Sequence, residues 1–125
     1  MLAEAQMRID APVADIGPID LAHLKAQTLG DDNLALEVLA LFDEMCRTYF
    51  RRLEDSTTVA DLLRNLHTLK GAAAGVGAFA LSHLAREMEG DLRADKPVDP
   101  EAIEEIGAAV AHLSAYITRR IDAAA

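Results

Sequence analysis

Apolar residues recur every three or four positions through four successive stretches of this chain, and each stretch is bounded by residues that start or stop helices. In the first, about 32–54, Leu34, Val38, Leu41, Met45 and Tyr49 form one row, and Leu39, Phe42, Cys46, Phe50 and Leu53 form its neighbour. The second, about 58–74, follows the capping candidates Ser56, Thr57 and Thr58 and carries Val59, Leu62, Leu66, Leu69 and Ala73 on one face. Gly75 and Gly77 are expected to end it. The third, about 79–94, gathers Leu81, Leu84, Ala85, Met88 and Leu92, and Lys96-Pro97 opposes its continuation. Asp99-Pro100, a capping residue followed by proline in the first helical position, opens the fourth, about 100–122, with Ile103, Ile106, Val110, Leu113, Ile117 and Ile121. Upstream, Asp20 can cap a short helix that Gly30 ends in a left-handed conformation, and Asp31 or Asp32 can cap the next.

Composition points the same way: 24 Ala and 17 Leu favour helix, and only five residues are aromatic. The expected fold is all-α, an antiparallel four-helix bundle with a short additional N-terminal helix capping one end. At 125 residues the chain is one domain with a sizeable core. Residues 1–18 hold Pro12, Gly17 and Pro18 and are read as a flexible N-terminal arm, with one helical turn near Leu2 to Ile9; residues 19–122 are read as the bundle.

A net charge of −9 argues against a nucleic-acid surface or an acidic membrane as partner, since both need clustered cations. The single cysteine, Cys46, allows no internal disulfide and reads as a small buried hydrophobe. No basic-then-apolar leader opens the sequence, and the longest uncharged run, Gly71 to Ala85, is too short to span a bilayer, so a cytoplasmic location is expected. No phosphate-binding loop, zinc-helix motif or nucleophile elbow is present. Cofactors are therefore expected to be none, and no metal site is expected.

Of the four histidines, His23, His83 and His112 read as surface residues, whereas His67 has distinctive surroundings. On a helical wheel it points about 130° from the centre of the apolar cluster. Ala60, Gly71 and Ala74 share its face, with Leu63 beside it. Arg64 lies one turn before and Lys70 one turn after. Gly71 costs a helix about 1 kcal/mol relative to Ala, which is explained if another molecule must approach the imidazole closely. An exposed imidazole in a clearing of small residues, near two cations, suits a phosphoryl acceptor. The neutral ring nitrogen is the nucleophile, and Lys70 screens the phosphoryl charge.

The run His67-Thr68-Leu69-Lys70-Gly71-Ala72-Ala73-Ala74-Gly75-Val76-Gly77 resembles the signature of histidine-containing phosphotransfer (HPt) domains. Leu81, Leu84 and Met88-Glu89 fit the family's next helix, and Ile19-Asp20, Leu29-Gly30-Asp31 and Leu41-Phe42 its opening segments, so that the resemblance spans about residues 19–120. It implies a four-helix bundle with His67 as the phosphorylated residue, Lys70 and Gly71 as the family's Lys and close-approach Gly, and Gly77 as the turn Gly. It also implies that Glu89 stands where a polar residue, often Gln, hydrogen-bonds the inner imidazole nitrogen. A glutamate there would accept the ring N–H and leave the outer nitrogen free.

The function implied is that of a carrier in a multistep His-Asp phosphorelay, without autokinase activity. His67 would accept a phosphoryl group from a receiver-domain aspartate and pass it to another receiver. The partners implied are response-regulator receiver domains, those of a hybrid histidine kinase among them, with Mg²⁺ held by the receiver and not by this chain. Docking is expected through Ala60, Leu63 and Ala74, rimmed by Arg64 and Lys70, on a monomer. Alternatives from other classes are a helical-bundle interaction module in which His67 is never phosphorylated, a module of a larger kinase, and, more remotely, a metal-binding bundle. The loose start at Met1 and the charged Arg119-Arg120 lead to the expectation of a stand-alone chain.

Overall fold

The computed structural model describes residues 17–125, and the expected arm lies almost wholly outside them. Five helices follow in order: α1 Leu21–Gln27, α2 Asp32–Asp55, α3 Val59–Val76, α4 Phe79–Arg93 and α5 Pro100–Ala124. Side chains cap four of their N-termini. Asp20 accepts from the His23 amide, Asp31 from Leu34, Thr58 from Asp61 and Asp99 from Glu101. Each satisfies one of the donors that a helix start leaves unpaired.

α2 packs against α3 and α5, and α4 packs against the same two, which closes a ring around one core. Leu39, Leu53, Leu66, Leu69, Leu81, Ile106 and Ile117 are fully enclosed there. α1 packs on α3 and α2 at one end of the bundle. The Asp20 amide donates to the Gly77 carbonyl at 2.9 Å, which ties the entry of α1 to the exit of α3. Among the described residues no helix is long and apolar enough to cross a membrane.

Three local expectations are corrected. Gly75 does not end α3, because it keeps a helical backbone and the helix runs on to Val76. The stop belongs to Gly77 alone, at φ 91°, where a Cβ would lie 2.9 Å from the Asp20 carbonyl oxygen. Val59, expected on the core face, is 47% exposed because it is the first residue of α3, beyond the reach of the bundle. On α2 only the row Leu39, Phe42, Cys46, Leu53 is buried; in the other row Leu34 and Leu41 face solvent, Leu41 at 68% exposure. The neighbouring helices cover one stripe of α2 fully; of the second row Val38 and Tyr49 pack against the edge of the core, and Leu34 and Leu41 lie past it.

Candidate functional site

His67 sits midway along α3, where the helical period that buries Leu66 and Leu69 turns position 67 outward. Its side chain is 67% exposed. Ala60, Arg64 and Gly71 are exposed on the same face, and Leu63 and Ala74 are half-buried there. The structure thus places the expected docking residues along one side of α3. A Cβ at Gly71 would meet nothing within 4 Å, so no contact inside the molecule requires glycine at this position.

Beneath the imidazole lies Glu89 of α4. The wheel puts it at the edge of the apolar stripe; in the fold it is only 4% exposed. The adjoining α3 covers it, and three donors converge on it. His67 Nδ1 lies 3.2 Å from Oε2, Arg93 Nη2 donates to the same oxygen at 2.8 Å, and Lys70 Nζ donates to Oε1 at 2.7 Å. Burial by itself would push the Glu89 carboxyl up. The hydrogen bonds from Arg93, Lys70 and His67 outweigh it and hold the group down at about 2. An ionised carboxylate can only accept, so the proton of the ring is on Nδ1. In the neutral imidazole the lone pair is then on Nε2, the nitrogen turned away from Glu89.

The two cations expected to flank His67 are both engaged. Lys70 is paired with Glu89, and Arg64 donates to Asp61 at 2.8 Å within α3. That bond, with one from Thr58, holds the Asp61 carboxyl below its usual range. The patch is therefore less positive than the sequence suggests, since each cation has a carboxylate beside it. Arg93 escaped the sequence reading, although the spacing Glu89 to Arg93, i to i+4 on one helix, is a favourable pair signal. Ser82, whose hydroxyl donates to the Lys70 carbonyl at 3.1 Å, adds a further tie between α4 and α3 that no sequence pattern marks. Among the described residues no group of three or more His, Cys, Asp or Glu is arranged to hold a metal.

The site is thus an outward imidazole on α3 over a buried carboxylate from α4. The Hpt domain family model matches residues 37–116, and the chain belongs to that family, whose members carry phosphoryl groups on histidine in phosphorelay signalling and interact with receiver domains. The match is narrower than the span expected from the sequence and leaves α1 outside. Searches of curated proteins and of solved structures gave no match.

Proposed function

We propose that this chain is a phosphotransfer protein of a multistep His-Asp relay, with His67 Nε2 as the phosphoryl acceptor and donor. The observation that carries the reading is the His67–Glu89 contact: it occupies Nδ1 and leaves Nε2 as the nucleophile on an exposed face. Nε2 attacks the phosphorus of a receiver aspartyl phosphate. The N–P bond forms, the P–O bond breaks, and the aspartate carboxylate leaves with the electron pair. The ring becomes cationic and keeps its Nδ1 proton against Glu89, which stabilises that charge. Lys70, 2.7 Å from Glu89, is near enough to turn to the phosphoryl oxygens, and Gly71 leaves room for the receiver. Ala60, Leu63, Arg64 and Ala74 form the docking face.

Mg²⁺ belongs to the receiver in this reading; this chain works as a cytoplasmic monomer and has no autokinase activity. Transfer back to a second receiver aspartate is the same displacement in reverse. The test is to mix the purified protein with a radiolabelled phospho-receiver, with His67→Gln alongside. The expected label is acid-labile, alkali-stable and absent from the variant. A folded native protein that takes no label from several receivers of its own organism would instead point to an interaction module.

A further inference from the structure

We propose that Arg93 is a positioning residue for this transfer: it holds Glu89 in place as the acceptor of the His67 Nδ1 proton and so frees Lys70 to move to the arriving phosphoryl group. The proposal rests on the reading of His67 as acceptor and concerns how that acceptor is prepared.

The division of the carboxylate is the argument. Arg93 and His67 share Oε2, while Lys70 alone occupies Oε1. Glu89 is buried, and a buried carboxylate left without a cation is strongly unfavourable. Were Lys70 its sole cation, turning Lys70 to the arriving phosphoryl group would strip Glu89 of its counter-charge before the N–P bond forms and the ring itself becomes cationic. Lys70 would then be held back, or Glu89 would take up a proton and cease to be an acceptor-only partner for the ring.

Arg93 removes that conflict. It lies on the same helix as Glu89, four residues on, in the favoured acid-before-base order, and closes the last turn of α4, where a cation suits the helix dipole. It need not move during transfer. The charged or titratable groups that face Glu89 are His67 and Lys70 from α3 and Arg93 from its own helix; among the described residues none from α2 or α5 pairs with it. Arg93 makes and breaks no bond in the reaction. It acts only through Glu89.

Arg93→Met, Arg93→Lys, Glu89→Gln and the Arg93→Met/Glu89→Gln pair test this, with single-turnover transfer from a phospho-receiver and ¹⁵N shifts of the His67 ring as readouts. Circular dichroism of each variant confirms the fold. Arg93→Met is expected to slow transfer about tenfold in the native background, the size of one lost charge-assisted hydrogen bond. It should also raise the share of the Nε2–H tautomer, and Arg93→Lys should restore most of both. In the Glu89→Gln background, where position 89 has no charge to compensate, Arg93→Met should change the rate less than twofold, the non-additivity of coupled residues. Equal loss in both backgrounds would mean that Arg93 touches the phosphoryl group or the receiver directly and would overturn the proposal. So would an unchanged tautomer in Arg93→Met. Label on the native protein with either result sinks this inference alone; no label on the native protein sinks the acceptor reading with it.

Discussion

His67 and Glu89 face each other across two helices, Nδ1 to Oε2 at 3.2 Å, one side chain largely exposed and the other buried. The pairing turns a residue with two similar nitrogens into one with a single outward nucleophile. Glu89→Ala is expected to release that choice. The ring then populates both tautomers, and transfer from a phospho-receiver slows about tenfold or more. Nitrogen-15 shifts of the imidazole, measured beside the transfer rate, check both halves. A Glu89→Ala variant that keeps the native tautomer would remove the basis of the site.

Glu89 also makes stability depend on acid. Its folded value near 2 lies below the ordinary 4.5, so its contribution is fully present above pH 4.5 and is lost as pH falls toward 2. The shift corresponds to about 3 kcal/mol at neutral pH. Glu89→Gln should therefore be less stable than the native protein at pH 7, with the gap closing between pH 4.5 and 2. Urea melts at a series of pH values would show it, and a gap independent of pH would contradict it.

Gly71→Ala separates folding from function. The position is helical, and a Cβ there meets nothing within 4 Å. Replacing Gly by Ala in a helix gains about 1 kcal/mol. The variant should unfold a few degrees higher and yet transfer phosphoryl more slowly, because the added methyl stands where a receiver approaches. Thermal unfolding and transfer on the same sample decide it; a variant both more stable and equally fast would show that the clearing is not needed.

Cys46 is 2% exposed, and burial, helped by Asp43 and opposed by Arg47, pushes its thiol up to about 12. It should stay unreactive to a thiol reagent at pH 8 in the folded protein and react at the rate of unfolding. Rapid labelling without denaturant would place it outside the core.

Helix borders were legible where one residue decides them. Thr58 and Asp99-Pro100 offer caps in the right places, and Gly77 supplies the left-handed stop. Gly75 misled because a glycine is permitted in a helix as well as after it. Leu41 misled because periodicity shows how wide an apolar face is, not how much of it neighbours cover. His67, Lys70 and Gly71 stand close together in the sequence, and helical spacing puts them on one side. Their relation to Glu89 depends on the register between α3 and α4, which no pattern within either helix encodes; the family resemblance, not the wheel, pointed to that contact. Arg93 was within reach of the i, i+4 rule, but its importance shows only once Glu89 is known to be buried.

The peptide hydrogen bond from Asp20 to Gly77 joins a segment outside the family match to the helix that bears His67. His23 adds a second tie, its Nε2 lying 3.2 Å from the Gly75 carbonyl oxygen. The last turn of α3 is thus clamped from outside the four-helix ring. A chain begun at residue 37 and kept to its C-terminal helix would retain every residue of the imidazole site but free the end of its supporting helix to fray. Amide exchange at Val76 and Gly77 would then rise ahead of the rest of α3, which makes the segment before residue 37 part of what holds the imidazole-bearing helix.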